Sequence, residues 1–196
     1  METRLIIDGP QTGAANMAVD EMLLQSAAAS GLSTLRFYRW AEPTVTLGYF
    51  QSFADGDQHA SSRNCPRIRR STGGGAIVHD QELTYSLAIP LGDRWANSPQ
   101  FWYDTMHQSL IDVLRPLGLD ARQCRLGESR GSLGELRGES PFLCFQRRAL
   151  GDVLVGANKI CGSAQRRQCR AMLQHGSFAT TQRGSSTRSR QASRCT

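Results

Sequence analysis

Arg69-Arg70-Ser71-Thr72-Gly73-Gly74-Gly75-Ala76-Ile77-Val78-His79-Asp80 sets three consecutive glycines between a pair of arginines and a short apolar run. Each glycine costs backbone entropy on folding, so a triplet needs a structural reason. Backbone without side chains lets a ligand approach closely and offers N–H groups to a carbonyl or phosphate oxygen. The flanking arginines add charge suited to a phosphate or carboxylate. A tight turn between two strands would account for the glycines as well. The spacing matches neither the dinucleotide-binding fingerprint nor the P-loop.

Outward from the triplet, the chain reads as short strands interrupted by two helices. Pro66–Arg70 and Ala76–Val78 flank the glycines, and Leu83–Ile89 has strand composition. Upstream, Leu5–Ile7, Thr34–Trp40 and Thr44–Tyr49 read as strands, the last two split by Glu42-Pro43. Residues 14–29 put Ala15, Val19, Met22, Leu23 and Ser26 on one helical face, with Gly31 as the stop. Downstream, Ser98-Pro99 is a helix start, and Trp102, Met106, Leu110, Val113, Leu114 and Leu117 form an apolar stripe ending at Gly118. Residues 120–140 are polar and rich in glycine and arginine, as a long surface loop would be. Asp152–Val155, Lys159–Ile160 and Ala171–Gln174 read as strands again. Strands and helices do not alternate regularly, so the expectation is an α/β (α+β) fold with a mixed, mostly antiparallel sheet flanked by helices.

A second constellation is Gly156-Ala157-Asn158-Lys159-Ile160-Cys161-Gly162-Ser163-Ala164-Gln165-Arg166-Arg167, followed by His175-Gly176-Ser177. Of the 23 basic residues, Lys159 is the only lysine. Where arginine serves almost everywhere, a retained lysine suggests a need for a compact ammonium. It opens a short strand bounded by glycines, placed to project from a sheet edge into a cleft. A solvated surface lysine kept by chance is the plainer alternative.

Composition narrows the function classes. The 196 residues, 39% hydrophobic and 20% charged, suit one soluble domain with a real core. The net charge of +6 resides mainly in residues 181–196, which hold Arg183, Arg188, Arg190 and Arg194 and no acid. The remainder is nearly balanced and presents no groove-reading helix or aromatic RNA platform, so nucleic acid is not an expected partner. No apolar run approaches the roughly 20 residues that span a bilayer. The first ten residues lack the basic-then-apolar layout of a signal peptide. No membrane partner and a cytoplasmic location are expected. The six cysteines form no C-x-x-C pair, which argues for reduced thiols, most of them core fillers, and for no metal site. From Thr180 onward the composition collapses to Ser, Thr, Arg and Gln, expected to be disordered. The domain reading is therefore 1–179 folded and 180–196 tail.

Taken together, the two constellations resemble the biotin/lipoate protein ligase and lipoyl/octanoyl transferase superfamily. There, an R-R-x-[ST]-G-G-G-x-x-x-H-D stretch and a later G-x-K-I-x-G-S-A-Q-x-R stretch line one acyl-binding tunnel. Asn16-Met17-Ala18-Val19-Asp20-Glu21, Arg36 to Trp40 and Pro43 to Gln51 extend the similarity, which runs from about residue 5 to about 178. The resemblance implies substrate-binding roles for Arg70, Ser71, Thr72, Gly73, Gly74, Gly75 and His79. It implies the same for Gly162, Ser163, Ala164, His175 and Gly176.

Within that superfamily, ATP-dependent ligases form an acyl-adenylate and need no nucleophile, whereas transferases pass the acyl group through a cysteine thioester. His79-Asp80-Gln81-Glu82-Leu83-Thr84-Tyr85-Ser86 looks like the transferase H-D-x-E-x-T-Y-S run, and Cys144-Phe145 is similar to the C-F pair that carries the nucleophile. The P-S segment that often follows C-F is absent here. Another branch keeps its cysteine immediately ahead of the H-G pair, where this chain has Gln174. The resemblance thus implies a catalytic pair, Cys144 and Lys159, and a cofactor-free transfer of an octanoyl or lipoyl group. The donor would be an acyl carrier protein and the acceptor a lysine of a lipoyl domain or glycine-cleavage carrier protein. An ATP- and Mg-dependent lipoate ligase and a non-catalytic carrier-binding protein are the alternatives. The superfamily normally continues beyond His175-Gly176-Ser177 with further elements, so the chain reads as truncated at its C-terminus, with impaired activity one outcome to be tested.

Overall fold

The computed structural model of the chain describes residues 2–92, 98–128 and 142–179. Among these, the strands in chain order are β1 (Thr3–Gln11), β2 (Ser33–Trp40), β3 (Thr44–Leu47), β4 (Arg67–Arg69) and β5 (Ile77–His79). They continue with β6 (Leu83–Pro90), β7 (Ala121–Gln123), β8 (Val153–Val155), β9 (Asn158–Gln168) and β10 (Ala171–Phe178). The helices are α1 (Gly13–Ser30) and α2 (Pro99–Leu114). A large sheet runs β1-β2-β6-β10-β9-β8-β7, and a small one runs β4-β3-β5. Only β1–β2 and β3–β4 pair parallel; every other pairing is antiparallel. The expected mixed, mostly antiparallel sheet flanked by helices is therefore the architecture found.

Strand alternation divides the core. Successive side chains of a strand point to opposite faces. On β6, Tyr85 and Leu87 join Met106 and Ile111 of α2, while Ala88 joins Leu23, Leu24 and Ala27 of α1. The helices therefore cover opposite faces of the large sheet. Burying a leucine as fully as Leu24, 1% exposed, contributes about 1.5–3 kcal/mol.

Both helices start and stop on local signals. The Thr12 hydroxyl accepts the Ala15 N–H, and Gly31 closes α1 at φ 73, a left-handed conformation that glycine adopts without penalty. Ser98 caps α2 ahead of Pro99, as expected. The buried faces differ from expectation. In α1 the stripe is Gly13, Asn16, Asp20, Leu23, Leu24 and Ala27, with Met22 exposed. It begins with polar residues because Asn16 and Asp20 serve a buried arginine: Arg36 donates to Asn16 Oδ1 at 2.9 Å and to Asp20 Oδ1 at 3.0 Å. In α2, Met106, His107 and Ile111 are buried, whereas Val113 and Leu117 lie outside. The expected loop at 120–140 is a strand over Ala121–Gln123, which pairs with β8; residues 129–141 lie outside the described residues. The expected disordered tail at 180–196 also lies outside them.

One irregularity positions the site. β8 and β9 pair Val153 with Cys161 but Leu154 with Lys159, so Ile160 is an extra residue on β9. Such a bulge reverses side-chain parity beyond it and re-aims a residue. Regular alternation would send Lys159 to the face of Cys161. Opposite Leu154 it projects to the other face, the one Gly162 occupies. The strand carrying it is long and interior, between β8 and β10, rather than a short strand at a sheet edge. The bulge, not an edge, sends the lysine to the side of the strand where Cys144 lies.

Candidate active site

The glycine triplet borders the cleft between the two sheets at Gly74 and is clamped from within. Arg70, 2% exposed, donates from Nη2 to the carbonyls of Gly73 (2.9 Å) and Gly75 (2.7 Å), and from Nη1 to the carbonyl and hydroxyl of Thr46. Burial pushes this guanidinium down to about 10, against the pull of the Cys144 and Tyr38 charges. Gly48 makes room for the loop: a Cβ there would lie 1.9 Å from the Gly74 carbonyl oxygen. Gly74 itself sits at φ 93. Its N–H and those of Gly73 and Gly75 make no hydrogen bond to a described residue, which leaves them free to meet an oxygen.

Two buried imidazoles brace this loop, each in a tautomer fixed by its partners. His79 donates from Nδ1 to Glu82, so its Nε2 accepts the Thr46 hydroxyl at 2.8 Å, and its ring stacks on Trp40. Burial pushes His79 down, with Glu82 opposing; burial also works against the Glu82 charge, but His79 and the Asp80 N–H hold that carboxyl below its ordinary value. His175 faces Asp20 Oδ2 through Nδ1 at 3.4 Å, and its Nε2 accepts the Thr72 hydroxyl at 2.6 Å. The second constellation is thereby tied to the first. Arg166 adds another tie, donating to the Ser71 carbonyl at 3.1 Å.

Cys144 opens a single 3-10 turn, Cys144–Gln146, docked on the end of the glycine loop. Its N–H donates to Ala76 O at 2.8 Å, and the Ala76 N–H donates to Phe142 O at 2.9 Å. Gly75 permits this approach, since a Cβ there would stand 3.2 Å from Cys144 N. The Lys159 ammonium lies 3.9 Å from Cys144 Sγ and 2.8 Å from Asp152 Oδ2. The Lys159 side chain is 5% exposed and that of Asp152 1%. Burial would lower Lys159, but the Cys144 thiolate and then Asp152 outweigh it and raise the ammonium above the ordinary lysine value. Burial pushes the neighbouring Cys161 thiol up, which marks it as inert. Cys124, Cys144, Cys161 and Cys169 are free thiols.

The cleft holds about 430 Å³ of space, its opening to solvent included. Its walls are mostly apolar because polar groups in them are already paired: Trp40 Nε1 donates to Thr84 Oγ1 at 2.9 Å and Tyr38 donates to Asp20 at 3.0 Å. From the first constellation Arg70, Gly74 and His79 reach the cavity, and Cys144 joins them. From the second come Gly162, Ser163, Ala164, His175 and Gly176. Ser71, Thr72, Gly73 and Gly75 stand behind the wall, holding Arg166, His175, Arg70 and the Cys144 turn as described. Lys159 stands behind Cys144.

Three residues escaped sequence reasoning. Asp152 was legible only as the first residue of a strand, although an acid beside Val153–Val155 and a few positions before the lone lysine was a signal. Tyr103 and His107 sit on α2, where only the apolar stripe was read. Tyr103 donates to Asp152 Oδ1 at 2.9 Å. His107 accepts the Ser163 hydroxyl through Nε2 at 2.6 Å, because its Nδ1 is committed to the Gly151 carbonyl.

The fold matches that of lipoate-protein ligases of known structure. One chain of that type belongs to the bipartite lipoate protein ligase studied with its E2 lipoyl domain from Thermoplasma acidophilum. It is 28% identical, with a TM-score of 0.67, covering 91% of this chain and 61% of that one. A lipoate-protein ligase A bound with ATP is 30% identical with a TM-score of 0.67, covering 91% and 66%. The chain belongs to the lipoyl protein ligase A/B catalytic domain family, whose model matches residues 12–189. Curated relatives include octanoyltransferase LipM of Oceanobacillus iheyensis, 36% identical over 86% of this chain and 60% of that protein. The LipM of Kyrpidia tusciae is 37% identical over 89% and 65%. The chain therefore spans a little under two thirds of the length of these relatives.

Proposed function

We propose that the chain is the acyl-binding and nucleophile-bearing part of an octanoyltransferase of protein lipoylation. The observation that carries this reading is the Cys144–Lys159 contact of 3.9 Å at the wall of an apolar cavity. An ammonium beside sulfur favours the anionic, nucleophilic form. The Cys144 thiolate attacks the carbonyl carbon of an octanoyl (or lipoyl) thioester on an acyl carrier protein. The carrier's C–S bond breaks, and its sulfur leaves as a thiolate that takes a proton from solvent. The amine of an acceptor lysine then attacks the enzyme thioester, forming the C–N bond, releasing Cys144 and giving up its proton to solvent. The free N–H of Gly74, the glycine of the triplet that lines the cavity, is suited to the oxyanion of both steps.

Arg70 serves this chemistry by shaping the loop rather than by holding a phosphate, since four of its hydrogen bonds go to Thr46, Gly73 and Gly75. His79, His175 and Thr72 brace that shape. Both half-reactions exchange one acyl bond for another, so ATP and Mg are not required. The acceptor is a lipoyl domain or glycine-cleavage carrier protein, and the setting is the cytoplasm, where a reactive thiol stays reduced. The test is transfer from octanoyl-carrier protein to a lipoyl domain without ATP. ATP-independent octanoylation of the acceptor lysine supports the transferase. Octanoylation from free acid only with ATP and Mg would favour the ligase.

A further inference from the structure

The ion pair behind Cys144 is more elaborate than a lysine needing a counterion. Every oxygen of the Asp152 carboxylate is committed. Oδ1 accepts the Tyr103 hydroxyl at 2.9 Å; Oδ2 accepts the Ala149 N–H at 2.6 Å and Lys159 Nζ at 2.8 Å. The Asp152 backbone is pinned too, its carbonyl accepting the Cys124 N–H at 2.7 Å and its N–H donating to Ala149 O. Tyr103 in turn accepts the Ser163 N–H at 3.5 Å, so the same hydroxyl links the cavity wall to the carboxylate. Gly162 completes the arrangement by having no side chain where Lys159 and Asp152 meet: a Cβ would lie 2.6 Å from Lys159 Nζ and 3.0 Å from Asp152 Oδ1.

We infer that Asp152, anchored by Tyr103, is a positioning residue that completes the reactive pair, holding Lys159 Nζ at the Cys144 sulfur and keeping it charged. The inference rests on Cys144 being the nucleophile. An ammonium this deeply buried is strongly disfavoured unless an opposite charge lies close. Without one it would shed its proton near neutrality and stop stabilising the sulfur anion. Asp152 supplies that charge from the side away from Cys144. The other titratable groups around the ammonium are Cys144 itself, Cys161 on β9 and His107 on α2, with Tyr103 and Cys124 around Asp152. None of these groups is a carboxylate; among the described residues it is Asp152 whose carboxylate pairs with the ammonium.

Lys159 being the only lysine gives a direct readout. Protein grown with ε-15N lysine shows one side-chain ammonium signal, whose titration reports Lys159 alone. In Asp152→Asn the midpoint should fall by about one unit or more relative to wild type, the size of shift an adjacent opposite charge produces. Tyr103→Phe keeps the ring and should move it the same way by less, so it decides the matter should Asp152→Asn not fold. The alkaline limb of the transfer rate should move with the midpoint in both variants. A midpoint unchanged in both variants would overturn the inference. So would an altered midpoint with an unmoved alkaline limb, since the carboxylate would then be structural only. If wild type forms no octanoyl thioester, the functional reading fails instead, and the lysine titration still reports the ion pair.

Discussion

The Cβ that Gly162 lacks would lie 2.4 Å from Lys159 Cε. The strand residue three positions after the lysine therefore decides whether the ammonium can fold over toward Cys144. In Gly162→Ala the methyl group crowds a buried ammonium and its Asp152 partner, so the melting temperature should fall by several degrees. Displacing the ammonium by an ångström should in addition slow acyl transfer of the folded variant about a hundredfold. Activity within a few-fold of wild type would show that Lys159 position is unimportant.

Lys159→Arg keeps the charge but not the shape. The site between Asp152, Cys144 and the Gly162 backbone is sized for a linear ammonium, and a planar guanidinium would have to displace one of them. Loss of one aligned charge of this kind costs on the order of a hundredfold in rate. The loss should appear in kcat. Turnover within about threefold of wild type would mean that the lone lysine is chance.

Arg70→Lys should unfasten the glycine loop. A lysine cannot reach the carbonyls of Thr46, Gly73 and Gly75 together, and a buried carbonyl left unpaired costs about 1–3 kcal/mol. Thermal unfolding should come several degrees earlier, with octanoyl transfer reduced as well. A stable, fully active variant would contradict the clamp.

Stability should depend on pH through the buried imidazoles. Burial pushes His79 and His107 down, so below about 6.5, the ordinary histidine value, the unfolded chain binds more protons than the folded one. Stability is then fully present above that pH and is lost as pH falls toward the lower folded values. Glu82, held below its ordinary value, adds a further loss in more acidic solution. The melting temperature should fall steadily from pH 7 to pH 5. A flat profile over that range would show that these rings protonate without cost.

The fold was legible where local chemistry and tertiary packing agree. The second helix's start at Ser98 and the first helix's stop at Gly31 follow from capping alone. Strand-like runs flanking Gly73-Gly74-Gly75 became β4 and β5 because nothing competes with them. Apolar periodicity misjudged α1, since its buried face includes Asn16 and Asp20, drawn inward by Arg36, which lies far away in sequence. The aim of Lys159 was not legible either. It depends on a bulge at Ile160, and alternation along β9 would have turned the side chain away from Cys144. For Ser71, Thr72 and Arg70 the resemblance implies substrate contacts; what the fold adds is their hydrogen bonds to Arg166, His175 and the loop's own carbonyls. Those partners are distant in sequence or backbone groups, which composition cannot reveal.

The claim at the centre of this account is that Cys144 carries the acyl group. Intact mass spectrometry after mixing the chain with octanoyl-carrier protein, in the absence of ATP, tests it most directly. The account predicts a gain of one octanoyl unit, removable by hydroxylamine and mapped to Cys144. The gain should be abolished in Cys144→Ser, whose hydroxyl lacks the thiolate needed for thioester exchange. An unmodified wild-type chain, or an octanoyl unit that persists in Cys144→Ser, would contradict it.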